Sequence, residues 1–209
     1  ISLLGLLFAL VVSASLYVTI SSSNDVERHR TARLAKLAVK AQLNSLKSAT
    51  EENAYWDEAA RNFYLGNDRK AFFESNWLPY TLENDRYEMI LVVDPDGKTI
   101  LSGENGNMTE IHPEQRYGKD YRRLISSLHS PTESAAVLAR DNSEVAILAA
   151  SNIRFTDPGL NASQINGRPY RILFKKRLDQ KLVSIMGGDM GISGLILNGN
   201  PGDRPSIKL

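Results

Sequence analysis

Tyr87-Glu88-Met89-Ile90-Leu91-Val92-Val93-Asp94-Pro95-Asp96-Gly97-Lys98-Thr99-Ile100-Leu101 decides how the chain folds. Two β-rich runs flank Asp94-Pro95-Asp96-Gly97, where proline presets φ for a turn and glycine supplies positive φ, so the segment reads as a β-hairpin. Downstream, a polar loop covers Ser102–Arg116, and Tyr121, Leu124, Ile125 and Leu128 fall at helical spacing within Tyr117–His129, closed by Pro131. Ser134–Ala139 and Glu144–Phe155 then read as strands about the turn Arg140-Asp141-Asn142-Ser143, and Tyr170–Lys175 as a third. Leu178–Met186 suits a short helix and Gly194–Asn198 a last short strand.

Upstream lies a different kind of sequence. Ile1–Ile20 carries no charge, and twenty helical residues span roughly 30 Å, the thickness of a bilayer's hydrocarbon core. A cleaved signal peptide would end its apolar run sooner, so a retained transmembrane helix is expected at 1–20. From Asn24 to about Tyr64 there is neither Pro nor Gly, and Leu34, Leu37, Ala38, Ala41, Val39, Leu43 and Leu46 recur at helical spacing. This predicts one long stalk helix, capped by Asn24 or Asp25, standing off the membrane. Gly66-Asn67-Asp68 stops it, and a shorter helix follows over Arg69–Trp77, ended by Pro79. The expected organisation is a transmembrane helix at 1–20, a stalk at 21–50, a folded domain at 51–198 and a flexible tail at 199–209.

Composition narrows the function. With 25 basic and 24 acidic residues the net charge is +1, so there is no electrostatic footprint for nucleic acid. The absence of cysteine excludes a disulfide framework, thiolate zinc sites and thiol catalysis. His29, His112 and His129 form no metal-binding pair, and neither a phosphate-binding loop nor a nucleophile elbow occurs. Gly187-Gly188-Asp189-Met190-Gly191 reads as a helix end and turn. No cofactor is expected, and the chain reads as non-catalytic.

The order of hairpin, intervening helix and three-strand meander is similar to that of PAS-like and Cache-like sensory domains. The expected fold is therefore α+β: an antiparallel sheet of about five strands, with a long N-terminal stalk helix continuing the transmembrane helix and a pocket beneath the helical cover. Tyr55-Trp56-Asp57, Asn76-Trp77-Leu78 and the strand ending in Asp94-Pro95-Asp96-Gly97 resemble the CHASE extracellular sensory domains of the fourth type, over roughly Leu34–Leu197. That resemblance implies a periplasmic input module anchored in a bacterial inner membrane. Its relatives are commonly attached to GGDEF and EAL domains, which make and degrade cyclic di-GMP, or to histidine kinases, and usually carry a second membrane helix after the sensor.

Helical spacing puts Asn53, Trp56 and Asp57 on one face, an aromatic beside an amide and a carboxylate. With Asn76, Trp77, Tyr87 and Tyr121 they are the candidate ligand-binding residues for an unidentified small molecule. Arg122, Arg123, Arg154, Arg168 and Arg171 form a second group, because a buried arginine in such a pocket would bind a carboxylate bidentately. On Tyr170–Lys175, alternation sets Arg171, Leu173 and Lys175 on one face, and Tyr170, Ile172 and Phe174 on the other. The expected partners are the lipid bilayer through Ile1–Ile20 and a second copy of the chain through the stalk. The alternative is a structural module that binds a periplasmic protein partner.

Overall fold

Five consecutive buried residues, Met89–Val93, make a strand covered on both faces, and the rest of the structure is arranged around it. The structure is a computed structural model, and it describes residues 3–66, 68–82, 87–130, 133–141, 144–165, 168–192, 195–198 and 206–208. Helix α1 (Leu3–Ala54) is followed by α2 (Asp57–Tyr64), α3 (Arg69–Phe72), a π-helical turn (Phe73–Trp77) and a 3-10 turn (Leu78–Thr81). Strands β1 (Met89–Val93), β2 (Thr99–Glu104) and β3 (Asn107–Met108) precede α4 (Pro113–Ser126). Then come β4 (Ser134–Asp141), β5 (Glu144–Asn152), the short α5 (Pro158–Leu160), β6 (Arg171–Arg177) and α6 (Gln180–Asp189).

The main sheet is antiparallel, in the order β3-β2-β1-β6-β5-β4. It has six strands rather than about five because the two residues of β3 add an edge beyond β2. The expected last strand, β7 (Ile196–Asn198), pairs outside this sheet with β8 (Ser206–Lys208). The segment 199–209, expected as a flexible tail, thus contributes a strand, and its other residues lie outside the described ones.

Period-two alternation sorts the core. Ile90, Val92, Ile147, Ala149, Ile172 and Phe174 face the layer formed by the end of α1 with α2 and α3. Met89, Leu91, Val93, Leu148, Ala150 and Leu173 face α4. A third cluster joins Ala35 and Ala38 of α1 to Val183 and Met186 of α6. Apolar positions of the stalk are therefore used by its own domain.

The stalk differs from expectation at both ends. No helix start occurs at Asn24 or Asp25, since α1 runs unbroken for 52 residues, roughly 80 Å. It stops at Ala54 instead of reaching Tyr64, and Trp56 is extended (φ −136°, ψ 115°) before α2 begins. The cause is tertiary: Arg154 N–H donates to the Ala54 carbonyl at 3.0 Å, claiming the helix end. Among the residues whose side chains are described, no helix is long and apolar enough to cross a membrane. The side chains of the expected spanning segment, 1–20, lie outside them.

Candidate functional site

The residues named from sequence are held mainly by local structure. Asn53 Nδ2 donates to the Ala49 carbonyl at 2.9 Å, one turn back along α1. Because α1 breaks after Ala54, the helical spacing from Asn53 to Trp56 and Asp57 is lost. Trp56 leans on Phe72 with ring centres 5.2 Å apart. Asp57 accepts from Thr156 N–H at 2.6 Å and from its hydroxyl at 2.9 and 3.0 Å. Those bonds, the backbone one foremost, hold the Asp57 carboxyl below its usual range.

Asn76 Nδ2 donates to the Phe72 carbonyl and to Ser75 Oγ at 3.0 and 2.9 Å. Trp77 is fully buried and stacks on Phe63 at 5.6 Å. Tyr87 lies 4.6 Å from Phe174. Trp56, Trp77 and Tyr87 thus belong to one aromatic layer, on the face of the sheet away from α4. Tyr121 is on the other face, its hydroxyl 3.4 Å from the Gly97 carbonyl, and burial pushes its phenol up to about 12. None of these seven lines the grooves beside α4 or α6.

The open space lies along the α4 side. A groove of about 420 Å³ runs between β2 and the loop over Thr109–His112. It continues into spaces of about 480 Å³ beside Arg116 and Asp141, and about 250 Å³ between Gly97 and the start of α4. His112 lines all three. Gly118 shapes this wall: with φ 50° and ψ −119° it kinks α4, a backbone that only glycine adopts without strain. The helix also starts earlier than spacing alone predicted, because Pro113 opens it.

Beneath the first turn of α4 is an ionic network that sequence reading missed. Lys175, with no exposed side-chain area, places Nζ 2.7 Å from Glu144, 3.1 Å from Glu88 and 3.7 Å from Glu104. Arg177 Nε is 3.0 Å from Glu88 and 3.3 Å from Glu144. Arg116 of α4 joins in, at 3.1 Å from Glu104 and 2.5 Å from Asp141. Burial opposes ionisation of Glu144, but Lys175 and Arg177 together hold its carboxyl below the usual range. Among the described residues the buried Tyr117 hydroxyl has no hydrogen-bond partner, and burial pushes its phenol up. The signal available in sequence was the alternation that places Lys175 inward.

The five arginines separate cleanly. Arg122 and Arg123 are exposed and pair with Glu114 and Asp120. Arg154 binds Glu51, and Arg168 binds Asp96. Arg171 faces α4, and among the described residues no carboxylate pairs with it. Its Nε is buried, with no acceptor among the described residues. Among the described residues, no group of His, Asp and Glu has the geometry to hold a metal ion.

The topology is similar to that of a known kind of domain. The crystal structure of the selenomethionine form of the Vibrio cholerae LuxQ periplasmic domain superposes with a TM-score of 0.51 at 10% identity, covering 81% of this chain and 73% of that one. A second crystal structure of the same domain gives 0.49 at 12% identity, covering 82% and 74%. At these identities the likeness concerns the fold. No curated protein sequence matches the chain. The model of the CHASE4 domain matches residues 38–195, in agreement with the resemblance carried by Trp56-Asp57, Asn76 and Asp94–Gly97. The chain belongs to the CHASE4 domain family.

Proposed function

We propose that this chain is the signal-sensing input of a membrane-anchored bacterial protein, with its domain in the periplasm and no catalysis of its own. CHASE4 membership supports an extracytoplasmic sensory role. The observation that carries the reading is the continuity of α1: one helix runs from Leu3 to Ala54, and Leu46 and Ala54 are buried in the aromatic core against the sheet. A ligand that favours one packing of the sheet and α4 over another would shift this helix, by as much as its affinity differs between the two packings. The apolar segment Ile1–Ile20 supplies the anchor. The output at the other end would be cyclic di-GMP turnover or a histidine kinase.

The chain has no cysteine, so single-site labelling is unambiguous. Ser48 is exposed near the end of α1. A membrane-impermeant maleimide should label Ser48→Cys in intact spheroplasts as fully as in lysed ones. Labelling only after lysis would overturn the periplasmic placement.

A further inference from the structure

β3 covers only part of the edge of β2. It pairs with Gly103 and Glu104, and Thr109 N–H adds one bond to the Ser102 carbonyl at 3.1 Å. The chain then turns away, because Ile111 is drawn into the core beneath α4. Among the described residues no strand pairs with the outer edge of Thr99–Leu101, and no main-chain bond from another segment replaces one. The groove of about 420 Å³ lies there, with Lys98–Ser102 on one wall and Met108–His112 on the other. An open strand edge facing a groove takes an extended peptide, whose main chain supplies the missing partners.

The two ends of the groove carry opposite charge. Lys98 is exposed and lines both the groove and the space of about 250 Å³ at the start of α4. Nearby carboxylates are taken, Asp96 by Arg168 and Glu114 by Arg122, and among the described residues none pairs with Lys98. Thr99 Oγ1, buried and without a hydrogen-bond partner among the described residues, lines the same two spaces. It can donate to a carboxylate or accept from a peptide N–H. Glu110 lines the groove and the space on its other side, beside Arg116 and Asp141. Its side chain is 86% exposed, and His112, at 3.4 Å, is its one ion-pair partner among the described residues. The strand from Lys98 to Leu101 spans roughly 13 Å, and three extended peptide residues span about 10 Å.

We infer that this groove binds a short peptide with free termini, extended antiparallel to β2, with its carboxylate at Lys98 and its ammonium at Glu110. That direction continues the line of β3, which is itself antiparallel to β2. The assignment deepens the sensory reading above and rests on it.

The test is thermal unfolding of the full chain in mild detergent, with trialanine as the probe and with its N-acetyl form, its C-terminal amide and free alanine as controls. Trialanine should raise the melting temperature, each blocked form should raise it less, and alanine, too short to reach both ends, should leave it unchanged. Lys98 and Glu110 are exposed, so neither Lys98→Met nor Glu110→Gln should disturb the fold. Lys98→Met should weaken trialanine about threefold, the loss expected of one exposed ion pair, and should no longer distinguish the acid from the amide. Glu110→Gln should likewise no longer distinguish trialanine from its N-acetyl form. With trialanine bound, amide hydrogen exchange should slow at Thr99–Leu101 and stay unchanged around Trp77. No shift with trialanine, equal shifts from all three peptide forms in the parent, or protection away from this edge would overturn the inference. Those outcomes leave the sensory reading intact, and that reading fails separately if Ser48→Cys is not labelled from outside.

Discussion

Lys175 Nζ lies 2.7 Å from Glu144 Oε1, and the lysine side chain is wholly enclosed between the sheet and α4. Glu88 and Glu104 complete its surroundings, and Arg116 carries the network from Glu104 to Asp141. Four carboxylates and three cations from β2, β4, β5, β6, α4 and the residue before β1 are thus tied together. The first turn of α4 is held to the sheet by charge as well as by the buried Pro113, and the grooves open beside it.

This network makes stability depend on acid. The Glu144 carboxyl is depressed in the folded state below its ordinary value of 4.5. Between that value and its lower folded one, the unfolded chain binds more protons than the folded one. The stabilisation is therefore complete above the unfolded value and is lost as pH falls through the folded one. Urea unfolding of the full chain should show stability dropping as pH is lowered below 4.5, and Glu144→Gln should flatten that limb. At neutral pH the same variant should cost about 2 kcal/mol, less than breaking an isolated buried pair, because Glu88 and Glu104 still face Lys175. An unchanged acid limb in Glu144→Gln would show that the network does not set it.

Gly118 gives a cleaner backbone test. An added Cβ there meets nothing within 4 Å, so Gly118→Ala probes strain alone. At φ 50° and ψ −119° the expected loss is about 2 kcal/mol, read from the urea midpoint. A neutral substitution would mean that α4 is straight at this point in solution.

Asp57 tests whether a residue chosen for ligand contact works as a fastener. Its carboxylate holds both polar groups of Thr156, and so ties the start of α2 to the segment that also claims the Ala54 carbonyl. Asp57→Ala should lower stability by about 1–2 kcal/mol, a solvent-discounted value for hydrogen bonds to a charged group. Ligand-induced shifts in melting temperature should survive. If the shifts vanish while stability holds, Asp57 belongs to the binding site.

Much of the fold could be read from local patterns. The turn Asp94–Gly97 and the alternation of β1 and β6 are nearest-neighbour signals, and each strand that was expected lies within a few residues of its place, whereas β3 and β8 were not expected. The break after Ala54 was hidden because Tyr55-Trp56 is compatible with helix and only the distant Arg154 N–H ends it. The site was less legible for the same reason. Alternation grouped Arg171 with Lys175, but their fates diverge through what lies opposite: three carboxylates around Lys175, and among the described residues none on Arg171. No spacing rule within β6 distinguishes the two.

The stalk offers the last prediction. Ala35, Ala38 and Leu46 turn into the domain, and the outward side keeps Val26 at 65% and Leu37 at 47% exposure. These two are eleven residues apart, three helical turns, and so share one face. Exposed Arg30, Arg33 and Lys40 lie beside them and would repel their counterparts in a second copy, which limits pairing along α1 to a weak contact. If two copies meet along α1, they meet there. Under mild oxidation in membranes, Leu37→Cys should form a disulfide-linked dimer several times faster than Ala32→Cys, which is exposed but ~140° around the helix. Equal rates at the two positions would remove α1 as the contact between copies.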